Sequence, residues 1–152
     1  MRGQTPVLSE ILSRDHLSAI SAITPQGQRY LQLKEGAMDG WDGVRFLCHV
    51  LHPIPGTLLI LWDGASIHRG EAVRTFLATD HDQDLWLEHF PPYAPDLNPD
   101  EGIWHYFKNV ELSNLCIDTL PLLRTAIHQA ATRIRQKAQG ITACFQIAKL
   151  DL

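Results

Sequence analysis

The segment Thr57–Trp62, TLLILW, is the most apolar stretch of the chain. It is too short for a stable helix and does not alternate, so it predicts a strand buried on both faces. A strand of that kind needs helices above and below it, which points to an α/β arrangement. The rest of the pattern agrees. Leu17–Thr24 and Arg29–Lys34 alternate small or polar with apolar residues around Pro25-Gln26-Gly27, the pattern of a hairpin. Val44, Leu47, Cys48 and Leu51 fall on one helical face that stops before Pro53. Val73, Phe76 and Leu77 predict a short helix, Leu85–Phe90 another strand, and Ile103, Trp104 and Phe107 another helix. Leu123, Ala126, Ile127, Ala130, Ala131 and Ile134 predict a long helix reaching about Gln139. The expected fold is a mixed sheet with helices packed on it, formed by residues 1–152 as one domain.

Composition narrows the class. Hydrophobic residues at 45% and charged residues at 20% are ordinary globular proportions and exclude disordered and collagen-like chains. No apolar run approaches the ~20 residues that span a bilayer. The N-terminus has no apolar stretch or cleavage site of a secretion signal, so a cytoplasmic location is expected. Cys48, Cys116 and Cys144 fit neither a disulfide framework nor a zinc motif and are expected to be reduced packing residues. Net charge is -4, but the charge is segregated. Thr119–Leu150 carries Arg124, Arg133, Arg135, Lys137 and Lys149 with no acid, and Asp80–Asp100 carries six acids and no Lys or Arg. The basic stretch is either a solvated helix face or a surface that contacts DNA phosphates.

Two carboxylates stand where chemistry is expected. Asp63 follows the central strand, at the end where crevices open in α/β sheets. It is either a metal ligand or simply the Asp of an Asp-Gly turn. Glu101 lies three residues after Asn98, with Pro99 between them at the first helical position, an Asn version of the capping box. The same geometry could hold Glu101 toward a divalent cation. Mg²⁺ takes few protein carboxylates and leaves positions for water and phosphate, so two suit a phosphodiester site. His68 could orient a carboxylate, contact phosphate or be structural. Zinc-hydrolase spacing, Gly-rich phosphate loops and a GxSxG elbow are absent. Trp104 at helical spacing is expected in the core.

LLILWDGASIHRG followed by LEHFPPYAPDLNPDEGIWHYFK resembles the second half of the catalytic domain of DDE transposases, in the bacterial insertion-sequence branch of the mariner-type superfamily. Pro91, Pro92, Tyr93, Pro95, Leu97, Asn98, Pro99, Glu101 and Trp104 match that family's proline-rich pattern. GQTPVL and LSAISAIT resemble its segment between the first and second acids. The resemblance implies an RNase H-like sheet, Mg²⁺ or Mn²⁺ as cofactor, and DNA cleavage and strand transfer on transposon ends and target. It makes Asp63 the second metal-binding acid and Glu101 the third, with His68 and Lys108 matching residues after each. Gly64 stands where the family usually has Asn. The first acid, on the central strand, lies upstream of the matched segment, and Asp15 is out of place as a substitute. The resemblance therefore implies a partial domain lacking that strand, weak or inactive alone, from a split, frameshifted or decayed gene. Its partner would be an upstream-encoded transposase half or a second copy. Two alternatives are a non-catalytic DNA-binding or assembly partner of a full-length transposase, and a different RNase H-like nuclease completed by Asp96 or Asp100.

Overall fold

The computed structural model describes residues 16–65, 67, 70–79, 85–92, 94–113, 115 and 117–150. Strands β1 (Leu17–Ile23) and β2 (Arg29–Glu35) form the expected hairpin, antiparallel, with Leu17 opposite Glu35 and Ile23 opposite Arg29. Gly27 makes the turn possible: its φ is +83°, and a Cβ there would lie 2.9 Å from the Ala138 Cβ. Helix α1 (Gly40–Leu51) follows, then β3 (Leu58–Trp62), α2 (Glu71–Leu77) and β4 (Leu85–His89). β3 and β4 pair in parallel, Leu58 opposite Leu85. A 3₁₀ turn at Pro95–Leu97 leads into α3 (Pro99–Tyr106), a π-helical turn (Phe107–Glu111), α4 (Leu120–Arg135) and α5 (Ala138–Ile147). The mixed α/β class is as expected, and the element order is consistent with an RNase H-like fold. Among the described residues, however, the strands form two separate two-stranded sheets rather than one.

Period-two alternation sends the two faces of the hairpin to different helices. Leu17, Ile23, Leu31 and Leu33 pack on the cluster of α3, the π turn, α4 and α5, built on Ile103, Phe107, Ile127, Ala130, Ile134, Ile141 and Phe145. Ile20, Ala22 and Tyr30 face Phe46 and Val50 of α1. α1 also reaches the second sheet: Val44 and Leu47 pack with Trp62, Leu85 and the α2 residues Ala72 and Val73. One helix thus spans both sheets. Its start is fixed by a reciprocal cap, Asp42 N–H donating to Asp39 Oδ1 at 3.0 Å and Asp39 N–H to Asp42 Oδ2 at 2.9 Å.

Four expectations are corrected. β3 is not buried on both faces: Leu58, Ile60 and Trp62 pack on α1 and α2, but Leu59 and its register partner Trp86 are 60% and 64% exposed. The buried arc of α1 is turned toward Gly43, Phe46, Leu47 and Val50, because the helix serves two sheets, and this leaves Cys48 exposed. Cys144 is half-buried, and Cys116 lies outside the described residues. The long C-terminal helix ends at Arg135, where Lys137 takes φ −108°, ψ 52° and α5 begins. That bend folds Ile141 and Phe145 back over α3, burying both. No helix among the described residues is long and apolar enough to cross a membrane.

Candidate metal and DNA-processing site

Asp63 leaves the end of β3, and its Oδ1 accepts the Ala65 N–H at 3.0 Å, the turn expected of Asp-Gly. That bond occupies one carboxylate oxygen and fixes the side chain. Asn98 caps α3, with Pro99 at the first helical position, but its side chain accepts from Asp100 N–H at 3.1 Å. The Asn98 N–H donates to Pro95 O at 2.9 Å, and the Glu101 N–H to Asn98 O at 3.1 Å. The expected capping box therefore does not form, and the exposed Glu101 carboxylate is not spent on its own helix end.

Asp63, Asn98 and Glu101 line one cavity of about 480 Å³ between β1, β3, α1 and the start of α3. The two carboxylates that sequence reasoning singled out, one on a strand end and one on a helix start 38 positions later, thus border a common space. His68 lies outside the described residues, as do Tyr93 and Asp15. Asp96 is exposed on the 3₁₀ turn and does not line the cavity. Among the described residues no group of three His, Cys, Asp or Glu stands close enough to hold a metal ion. The donors present are hard carboxylate oxygens, the kind that suit Mg²⁺ or Mn²⁺ sharing water and phosphate.

Asp100, also on the cavity wall, does more than stand as a spare acid. Its Oδ2 accepts from the Ser21 hydroxyl of β1 and from Trp104 Nε1 at 3.0 Å, while Oδ1 is buried without a partner. Burial pushes its carboxyl above the usual aspartate range, against Ser21, Arg29 and Trp104, which favour ionisation. Asp100 ties the first turn of α3 to β1, one residue from Glu101. The Arg29 guanidinium beside it lies 4.8 Å from the Phe107 ring centroid and 5.9 Å from that of Trp104. Burial lowers its pKa, opposed by the Asp100 charge. The usable sequence signal was the spacing: an acid four residues before a Trp on a helix can accept the indole N–H.

None of Lys108, Arg124, Arg133, Arg135 and Lys137 lines this cavity. Lys108 is exposed on the π turn. Arg124 pairs with Glu35 at 3.7 Å, and Arg133 Nε donates to Glu111 at 2.6 Å. Lys137 Nζ donates to the Tyr106 hydroxyl at 2.7 Å. Arg135 borders a separate polar cleft with His49, His128 and Thr132. Two of the five basic side chains of Thr119–Leu150, Arg124 and Arg133, are thus paired with acids.

Comparison with curated proteins gave no match, and neither did comparison with solved structures. One family model, described as DDE superfamily endonuclease, matches residues 1–123, most of the 152-residue chain and all of the cavity's acids. The chain belongs to the DDE superfamily of endonucleases.

Proposed function

We propose that this chain contributes to a transposase-type catalytic centre that cuts and joins DNA, with Asp63 and Glu101 holding Mg²⁺ or Mn²⁺. The observation that carries this reading is the convergence of those two side chains on one cavity from separate elements. Bound there, the metal supplies Lewis-acid activation of a water or 3′-hydroxyl and charge stabilisation of the departing oxygen. The chain's own residues position the site. The Ala65 amide holds the Asp63 carboxylate, and Asn98 and Asp100 fix the helix turn that carries Glu101. His68 and Lys108 are assigned supporting roles on the sequence pattern alone. Arg135 is assigned to the phosphate backbone, with Arg124, Arg133 and Lys137 adding to the positive field around it, so binding is salt-sensitive and reads little sequence.

With no group of three His, Cys, Asp or Glu close enough to hold a metal ion among the described residues, the 152-residue chain alone is expected to nick DNA weakly or not at all. The same observation favours a second reading, a DNA-binding or assembly partner that acts with a transposase half or a second copy. Mn²⁺ titration with calorimetric detection tests the first. Asp63→Ala and Glu101→Ala should each weaken Mn²⁺ binding at least tenfold while leaving the circular dichroism unchanged. Unaltered affinity in both variants refutes the assignment. DNA binding that survives Glu101→Ala in Mg²⁺-free buffer, together with no nicking by the parent chain, supports the second reading.

A further inference from the structure

The polar cleft that Arg135 borders, about 220 Å³ in volume, draws basic side chains from two helices. The consecutive residues Arg29, Tyr30 and Leu31 of β2 line it and β1 contributes nothing, so it runs along the edge of β2 turned away from β1. Tyr30 packs toward α1 and Leu31 toward the cluster that includes α4, and this edge is where the two helices come together. From α4 come His128, Thr132 and Arg135, which share one helical face. From α1 comes His49, whose ring meets that of Tyr30 edge to face, with centroids 5.8 Å apart. The lining includes no Asp or Glu. Arg124 and Arg133 of α4 are paired with Glu35 and Glu111, whereas Arg135 meets no acid among the described residues. The Arg29 guanidinium, turned inward over the Phe107 ring, has all three nitrogens buried without a hydrogen-bond partner, so it adds a positive field that no hydrogen-bonded acid cancels.

We propose that this cleft binds a phosphate group, held by Arg135 and His128 of α4 and His49 of α1 across the β2 edge, without a metal ion. Phosphate oxygens accept several N–H bonds at once, and the planar guanidinium fork matches their spacing. Each imidazole offers at least one N–H donor in either protonation state. The Thr132 hydroxyl is spent on the His128 carbonyl at 2.9 Å, so it shapes the wall and adds no donor. A basic side chain in the last turn of a helix, as His49 and Arg135 both are, also stabilises its own helix end. That role is local to each helix and does not account for two helices delivering basic groups to one cleft whose lining has no acid. The same donors serve a nucleic-acid backbone phosphate and a small phosphate ligand alike. A backbone phosphate held here would anchor DNA on the β2 side of the hairpin, while Asp63 and Glu101 border the cavity along β1, the two spaces sharing only Tyr30. Such a site rests on the phosphate contact proposed above for Arg135, extends it to α1, and needs neither Asp63 nor Mg²⁺.

Inorganic phosphate titrated into the full 152-residue chain in EDTA, at constant pH, tests it. The imidazole Hε1 resonances are followed by NMR, with sodium chloride at matched ionic strength as the reference. The His49 and His128 resonances should move together along one saturable curve that chloride does not reproduce. Arg135→Ala should weaken phosphate about tenfold, the loss expected for a hydrogen bond to a charged group, and His49→Ala should weaken it several-fold. His52→Ala, an exposed imidazole at the end of α1 that does not line the cleft, should change nothing. No saturable movement, the result also expected if an acid from residues 1–15 lies there, overturns the proposal. Movement reproduced by chloride overturns it as well. So does undiminished phosphate affinity in His49→Ala, because α4 would then act without α1. A short random duplex distinguishes the two sources of phosphate. Duplex affinity that falls in His49→Ala together with phosphate affinity assigns the cleft to the nucleic-acid backbone, and duplex affinity that stays while phosphate affinity falls assigns it to a small phosphate ligand. Mn²⁺ titration of the same variants keeps the metal site separate: Mn²⁺ binding with no phosphate binding sinks this proposal alone, and the reverse sinks the metal assignment alone.

Discussion

Asp100 is the residue through which fold and site can be separated. Its Oδ2 receives two hydrogen bonds, from the Ser21 hydroxyl and from Trp104 Nε1. Asp100→Ala leaves both donors in a largely buried setting without an acceptor, and at about 1–1.5 kcal/mol per bond the cost is about 2–3 kcal/mol. Ser21→Ala removes one of the two bonds and should cost about 1 kcal/mol. Because the two residues share that bond, the double variant should fall short of the sum by about 1 kcal/mol. Urea unfolding followed by circular dichroism measures all four corners of the cycle. The acid–base consequence has a definite sign. Burial raises the folded-state pKa above the ordinary aspartate value of 3.8, so the native chain binds the proton more tightly than the unfolded one. The group's contribution is therefore fully present below that value and declines as the pH rises toward the raised folded value. Asp100→Asn, which cannot ionise, should flatten that part of the stability profile. The same first turn carries Glu101, so Asp100→Ala should also weaken Mn²⁺ binding several-fold, although Asp100 is not proposed as a ligand. Additive single variants, or a profile that keeps its slope in Asp100→Asn, would refute the reasoning.

Asp42 presents the opposite case. Its side chain is 2% exposed, and burial alone would raise its pKa, but hydrogen bonds from Lys34, the Asp39 amide and Arg45 hold it well below the usual range. Its contribution is present above pH 3.8 and is lost as the pH falls toward the lowered folded value, so Asp42→Asn should cost about 2–3 kcal/mol at neutral pH and nearly nothing in strong acid, read by urea unfolding at each pH. Gly27→Ala should destabilise by about 1–2 kcal/mol or more, from the positive φ and the contact with Ala138, measured as a lower thermal midpoint. Arg133→Ala leaves the buried carboxylate of Glu111 without its partner and should cost about 1 kcal/mol by the same measurement. If Arg135 meets DNA phosphate, Arg135→Ala should lower the slope of log affinity against log salt by about 1 on a random duplex, with Arg124→Ala changing it less because Glu35 already shares that charge.

The elements were legible where a single partner decided them. The β1–β2 hairpin could be read because its alternation and its Pro-Gln-Gly turn are local. The helix cap at Asn98 could be read because Asn and Pro have fixed positional preferences. What escaped depended on which surfaces meet. Nothing in TLLILW says that Leu59 stays exposed while Ile60 packs on α2, because both are equally apolar and the difference lies in which face finds a helix. The arc of α1 was misplaced for the same reason, since a helix serving two sheets is buried along the line between them. The end of α4 carries no Pro or Gly. The bend at Lys137 pays in lost helix hydrogen bonds and is set by burial of Ile141 and Phe145 twenty or more positions from their partners in α3.

The site divides along the same line, and the division explains the cavity. Asp63 and Glu101 could be singled out because a strand end and a helix start are local features, and a family pattern spans both. Asp100 could not be given its role, because the Ser21 hydroxyl that holds it lies 79 positions away on β1. That contact joins α3 to the hairpin, while α1 joins the hairpin to β3 and β4. The two sheets are therefore positioned by helices on their faces rather than by hydrogen bonds at their edges. The turn of α3 that carries Glu101 is therefore held through Asp100 to β1, while Asp63 is carried by a strand that packs on α1 and α2, so the placement of the two acids depends on helix packing more than on strand pairing.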